Sequence, residues 1–127
     1  MKEYDDISVE IKDYIAKITI QRPPNNFFDS FLIQQIADAY EELDNVDECR
    51  VILLCSEGKN FCAGANFGED KDMHDKSHPY SKLYDQAVRL FRTNKPVIAV
   101  IQGAAVGGGL GLALSADFRI ACPEAKF

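Results

Sequence analysis

The sequence predicts an α/β fold with mostly parallel strands, and three observations carry that prediction. Short apolar runs alternate with stretches whose apolar residues recur at helical spacing. Two of the runs, RVILLCS and KPVIAVIQG, are continuously apolar through their centres, as strands covered on both faces of a parallel sheet are. Each then passes into a loop of glycine and alanine, CAGAN and GGGLG. In parallel α/β sheets ligands gather at the carboxyl ends of the strands, so two such loops side by side form a candidate site.

The elements follow in order. ISVEIKD and YIAKITIQ (residues 7–13 and 14–21) alternate in character and are β-branched, like the two strands of a hairpin. RPPNN ends the pattern, because paired prolines and asparagines favour turns. From Asp29, Leu32, Ile36, Tyr40 and Leu43 make an apolar stripe with Ile33 and Ala37 beside it, and Asp29 or Ser30 is the N-cap. The run EELDNVDE reads as the solvated end of that helix. RVILLCS is the next strand, followed by the loop GKNFCAGANFGED and the polar stretch DKDMHDKSHPY. SKLYDQAVRLFRTN is a helix with Leu83, Ala87 and Leu90 on one stripe and Tyr84, Val88 and Phe91 next to it. KPVIAVIQG is a strand, and DFRIAC is a further one after the glycine-rich helix. Neither an internal repeat nor a linker is visible. A strand followed at once by PEAKF has no covering helix after it, so the fold is expected to be incomplete at that end.

Composition narrows the function classes. The chain has 127 residues, 46% hydrophobic and 27% charged, which suits one globular domain. A formal net charge of −6 argues against a broad nucleic-acid face. Cys49, Cys55, Cys62 and Cys122 follow neither CxxC nor a zinc-ligand spacing and are expected to be reduced thiols. The charged start MKEYDDISVE lacks a signal peptide's apolar core and no run approaches membrane-spanning length, so a cytoplasmic protein with no membrane partner is expected.

Nucleotide and hydrolase motifs fail on spacing. A GxGxxG counted from Gly107 and Gly109 would need glycine where Leu112 stands. A P-loop would need lysine where Gly109 follows Gly108, and no serine sits in a G-x-S-x-G elbow. What remains is backbone chemistry. A helix N-terminus presents unpaired N–H groups and the positive end of its dipole, suited to an anion or a developing oxyanion. A second N–H from CAGAN would complete a two-donor oxyanion hole. Close helix–sheet packing explains the glycines equally well, and spacing alone leaves both readings open.

Three stretches in order resemble the crotonase superfamily, which includes enoyl-CoA hydratases and isomerases. IAKITIQRPPNN resembles its opening strand and turn, GKNFCAGANF its first oxyanion loop, and KPVIAVIQGAAVGGGLGLALSADFRIA its second. The resemblance implies a spiral of ββα units, residues 1–127 forming the N-terminal part of a single such domain. It implies an acyl-CoA thioester as ligand, with no separate cofactor and no metal, and a homo-oligomer, a trimer or hexamer. Its oxyanion donors map to the amides of Ala65 and Gly108, and its substrate-holding stretch to Ala65, Asn66, Phe67 and Gly68. Asn66 stands where aspartate is commoner. Gly111 stands where hydratases resemble one another in a catalytic glutamate, and the second glutamate would fall beyond Phe127; Glu124 does not match it. Single-carboxylate members, the Δ3,Δ2-enoyl-CoA isomerases among them, share that pattern.

Other candidates carry less. His74 and His78 lack a third ligand for a metal, and Pro79 disfavours helical spacing between them. Met73, Tyr80, Tyr84 and Phe91 are candidate acyl-pocket residues, although ordinary helix packing is the simpler expectation for Tyr84 and Phe91. Arg22 and Lys59 flank the two turns and are candidates for coenzyme A phosphates, with solvated surface charge the default. Asp117 is expected to satisfy backbone donors. The leading expectation is an enoyl-CoA hydratase or isomerase type of enzyme; the alternative is a non-catalytic acyl-CoA-binding chain. A ClpP-like peptidase finds no serine in either glycine loop.

Overall fold

The computed structural model describes residues 2–65 and 81–127. It contains β1 (Ile7–Lys12), β2 (Ile15–Ile20), α1 (Ser30–Asp44), β3 (Val51–Ser56), α2 (Ser81–Arg89), β4 (Val97–Ile101), α3 (Gly108–Ser115) and β5 (Phe118–Ala121). The strands form one sheet in chain order. β1 and β2 are the expected antiparallel hairpin, and β2, β3, β4 and β5 run parallel. The hairpin turns on two residues, Asp13 and Tyr14, both with positive φ, 53° and 67°. That conformation matches the twist of the flanking strands but favours glycine and asparagine. Tyr14 is braced there: Arg50 lies over its ring at 4.2 Å, and the Arg50 amide donates to the Tyr14 carbonyl at 2.8 Å.

α1 begins where the stripe predicts. The Asp29 carboxylate accepts from the Leu32 amide at 2.9 Å and so occupies one of the orphan donors of the first turn. Leu32, Ile36, Tyr40 and Leu43 are all buried, as are Ile33 and Ala37. They share one core with Ala16, Ile18 and Ile20 of β2, Ile52 and Leu54 of β3, and Val97, Ala99 and Ile101 of β4. Full burial of one such aliphatic side chain contributes about 1.5–3 kcal/mol, so this layer dominates stability.

The opposite face of the sheet corrects the sequence reading. RVILLCS and KPVIAVIQG were expected to be buried on both sides, yet Leu53, Cys55, Ile98 and Val100 are only half-buried. Register places Phe118 beside Ile98 and Ile120 beside Val100, and these two are 62% and 59% exposed. A continuous apolar run cannot distinguish a strand with two covers from one whose second face carries apolar residues in the open.

Three further expectations change in detail. α2 ends at Arg89 and continues as a 3-10 turn, Leu90–Arg92, with Leu83 and Leu90 buried on its inner stripe. The end of α1 is not merely solvated. Arg89 bonds the carboxylates of both Asp38 and Glu41, while Asp44 accepts from the Thr93 hydroxyl at 2.7 Å and the Asn94 amide at 2.9 Å. Asp117 does serve the backbone: its carboxylate accepts from the Val97 amide at 2.8 Å.

Candidate functional site

The parallel strands β2 to β5 end on the same edge of the sheet, and the chain beyond them stays paired. Single bridges join Phe28 to Ala65, Cys62 to Ala105 and Ala104 to Lys126, all in parallel sense. The turn after β2, the glycine loop after β3 and the glycine loop after β4 therefore lie side by side. The Cys62 amide donates to Ala104 at 3.0 Å and the Val106 amide to Cys62 at 3.2 Å. Asn60 and Ala63 donate from the first loop back to Pro24 and Asn25 in the turn.

Side-chain amides lock the three segments together. Asn26 is fully buried and uses both ends of its side chain. Its Oδ1 accepts from the Arg22 amide at 2.9 Å, and its Nδ2 donates to Glu57 at 2.7 Å and Asn60 at 2.8 Å. Asn60 donates to the Asn25 side chain and accepts from the Ala104 amide, both at 3.1 Å. Gln102 reaches back to the Ser56 and Gly58 carbonyls at 3.1 Å. Buried amides with all partners in place fix a single arrangement, because any displacement leaves a polar group unpaired.

The two amides singled out from the sequence are placed by this scaffold. Ala65 is half-buried at the end of the first loop, and Gly108 is the first, exposed residue of α3. Phe28 links them. Its backbone pairs along Gly64 and Ala65, its amide donating to the Gly64 carbonyl at 3.0 Å, and its ring packs on Gly108. A β-carbon at residue 108 would lie 2.0 Å from Phe28 Cζ, and one at residue 109 would lie 1.9 Å from the Cys62 carbonyl oxygen. These glycines are thus needed for close approach. The packing reading, one of the two left open by spacing, accounts for Gly108 and Gly109.

The donors at the start of α3 are not equivalent. Gly109 donates to Val106 at 2.9 Å and Leu110 to Gly107 at 3.1 Å. Among the described residues neither Gly108 nor Ala65 donates to a backbone carbonyl. Gly107, the N-cap, has φ 57° and offers no side-chain cap. Asn66, Phe67 and Gly68 lie outside the described residues, as do Met73, His74, His78 and Tyr80.

An apolar cavity of about 280 Å³ opens beside Gly108. Leu83, Tyr84, Ala87, Leu90 and Phe91 line it from α2 and the 3-10 turn, Gly111, Leu112 and Ser115 from α3, and Phe28 and Ile33 from beneath. Tyr84 and Phe91 are 62% and 71% exposed, so helix packing does not account for them. No carboxylate lines this cavity among the described residues.

The charged candidates separate. Arg22 is a structural cation: it contacts Asp6 at 2.8 Å, Asp29 at 3.0 Å and the Phe27 carbonyl at 3.1 Å. Partial burial works to raise the Asp6 pKa, but hydrogen bonds from Arg22 and Gln35 outweigh it and hold the carboxyl below its ordinary range. Lys59 is exposed and lines, with Asn60, Gln102, Gly103, Ala104, Glu124 and Lys126, a separate cavity of about 380 Å³ that Gly108 does not line. The four cysteines are free, and burial pushes the Cys62 thiol up to about 11, which keeps it protonated and a poor nucleophile near neutrality.

Sequence reasoning passed over Phe28, Asn26, Asn60 and Gln102. The only local hint was the density of amides around the two turns, since an asparagine that links distant loops looks like one that merely turns the chain.

A spiral start of this kind, with two glycine loops at one sheet edge, defines a class that comparison then identifies. The family model for enoyl-CoA hydratase/isomerase matches residues 10–127, and the chain belongs to that family. A "Probable enoyl-CoA hydratase" of Mycobacterium tuberculosis is 34% identical over 130 residues, covering 100% of this chain and 51% of the relative. The "Short-chain-enoyl-CoA hydratase" of Clostridium acetobutylicum is 33% identical, covering 98% of this chain and 49% of the relative. A crystal structure of an enoyl-CoA hydratase/carnithine racemase from Magnetospirillum magneticum superposes with a TM-score of 0.87 at 26% identity, covering 97% of this chain and 48% of that one. The fold is therefore crotonase-like, and the chain spans about half the length of the relatives it matches. Among the described residues no helix is long and apolar enough to cross a membrane.

Proposed function

We propose that the chain provides the thioester-binding half of an acyl-CoA enzyme, holding the thioester carbonyl between the amides of Ala65 and Gly108 and stabilising the enolate formed when an α-proton leaves. The observation that carries this reading is the Gly108 amide at the head of α3, which donates to no carbonyl among the described residues, whereas its neighbours Gly109 and Leu110 donate to preceding carbonyls. Two fixed donors favour the negative oxygen over the neutral carbonyl, and each is worth about 10²–10³ in rate. Asn66, Phe67 and Gly68 continue the substrate-holding stretch, and the expected assembly is a homotrimer or hexamer. Hydration normally uses two carboxylates to place water and trade a proton, and Gly111 stands where hydratases resemble one another in one of them, which gives isomerisation weight.

Gly111, which leaves residue 111 without a carboxylate, favours one second reading, an acyl-CoA-binding chain without catalysis. Proton exchange at the α-carbon of bound acyl-CoA in heavy water separates the two: exchange supports the enzyme, binding without exchange the binding protein.

The donor assignment needs a change that adds no β-carbon, because Phe28 occupies that space. Replacing Gly108 by glycolic acid exchanges the N–H for an ester oxygen and leaves the shape intact. Calorimetric titration with acetoacetyl-CoA, whose enolate resembles the intermediate, should show binding to the unmodified protein and its loss in the ester. Equal affinity in both would remove Gly108 from the oxyanion site.

A further inference from the structure

The two candidate donor segments meet at Phe28. Its amide donates to the Gly64 carbonyl at 3.0 Å, and its backbone bridges Ala65. The tip of its ring fills the space that a β-carbon on Gly108 would take, with Cζ 2.0 Å and Cε1 2.2 Å from that position. Phe28 is itself held firmly. It is buried, Arg22 donates to the Phe27 carbonyl before it at 3.1 Å, and Asp29 after it caps α1 by accepting from the Leu32 amide at 2.9 Å. The loops also meet at Cys62, whose carbonyl accepts from the Val106 amide at 3.2 Å and against which Gly109 packs. Cys62 precedes Ala65 in the chain, and between Ala65 and Gly108 themselves the described contact runs through Phe28. Two N–H groups serve one oxygen only when both nitrogens lie about 2.7–3.1 Å from it. A misplacement of about 1 Å costs on the order of 10²-fold in rate.

We propose that Phe28 is a positioning residue for the oxyanion site: bridged to Ala65 and with its ring tip against Gly108, it sets the separation of the two amides. This rests on the thioester reading given above. Phe28 gives the ligand no hydrogen bond, since its own amide is taken by Gly64. It is a rigid spacer, and it ends where the β-carbon of residue 108 would begin. Phe28→Leu removes the ring tip, so the head of α3 loses its stop and the Gly108 amide drifts from the point it shares with Ala65. Gly108→Ala in the same chain returns a methyl group to the vacated place and keeps the N–H. The φ of Gly108 lies outside the left-handed region, so its backbone accepts that change.

The test uses two ligands on the full protein, with thermal melting as the check on folding. Acetyl-CoA, titrated by calorimetry, reports binding of the neutral thioester. Acetoacetyl-CoA reports the oxyanion, because the pH at which its bound enolate absorbance appears shows how strongly the site favours the charged form. The unmodified protein is expected to bind both and to lower that pH by about one unit or more relative to the free ligand. Phe28→Leu should lose about tenfold of that preference, which is about one pH unit, and hold acetyl-CoA within about threefold. Phe28→Leu with Gly108→Ala should regain most of what Phe28→Leu loses. Phe28→Met, which keeps the reach without the rigidity, should fall between Phe28→Leu and the unmodified protein. An unchanged ionisation pH in Phe28→Leu, parallel losses for both ligands, or a double variant no better than Phe28→Leu would overturn the role of Phe28 while the thioester reading stands. Failure of Phe28→Leu and Phe28→Met alike to fold would overturn it too, since the ring would then serve the fold. An unmodified protein that binds neither ligand, or leaves the enolate to ionise as it does in water, would take down the thioester reading and the role of Phe28 with it.

Discussion

The two glycine loops are held by different means. The described part of the loop after β3, residues 57–65, is held by side chains: Asn26 reaches across from the turn, Asn60 acts within the loop, and Gln102 reaches in from the start of the neighbouring loop. The loop after β4, residues 102–109, is held by the absence of side chains. Gly103 sits so close to the Lys59 carbonyl that a β-carbon would stand 2.1 Å from it, and Gly109 meets the Cys62 carbonyl at 1.9 Å in the same way. A backbone amide can thus be positioned by hydrogen bonds that draw a loop in or by glycines that let it close. The first means depends on charge and polar groups, the second on volume alone.

The sharpest way to break the comparison is volume. Gly109→Ala should cost on the order of 3 kcal/mol or more, because carbonyl backbone, unlike the end of a flexible side chain, cannot move aside cheaply. Urea unfolding would measure it, and a loss under about 1 kcal/mol would show that the glycine loop has slack. Next comes the amide clamp. Asn26→Leu keeps the size but orphans the Arg22 amide and the Glu57 carbonyl, at about 1–3 kcal/mol for a buried unpaired group, while the Asn60 carbonyl keeps Ser56 and Gln102 as donors. Hydrogen exchange should accelerate across residues 57–65 before it does in α3; uniform acceleration would mean the loops are one unit.

Acid should separate the loops more gently. Asp6 has a folded pKa below its ordinary 3.8, and it anchors Arg22, which holds the turn that Asn26 belongs to. The stability from that depressed carboxyl is complete above its unfolded value and is lost as pH falls through the folded one. Below pH 3.8 the first loop should loosen ahead of the second, and Asp6→Asn should flatten that part of the stability profile. The smallest effect lies away from both loops. Tyr14→Gly relieves positive φ but removes the ring beneath Arg50, so the melting temperature should move by no more than a few degrees, within about 1 kcal/mol.

The same contrast explains what could be read in advance. Glycines three in a row at a helix start are conspicuous, whereas Ala65 and Gly108 were singled out as donors only by the resemblance. Asn26, Asn60 and Gln102 are not, because their partners lie 31 to 46 residues away and no spacing rule links them. Phe28 looked like one aromatic near a turn, yet it touches both donor segments. Tyr84 and Phe91, candidates for a pocket that the resemblance implied and for helix packing by periodicity, line a cavity.

Periodicity, caps and turn chemistry are local, and by themselves they determined the hairpin, α1 with its Asp29 cap, the parallel strands and the position of both glycine loops. The tertiary structure alone decided which glycines close a contact and which one lines a cavity. A glycine has the same local signature in both roles. Only the atoms that surround the missing β-carbon distinguish Gly109, pressed on the Cys62 carbonyl, from Gly111, whose β-carbon would meet no described atom within 4 Å.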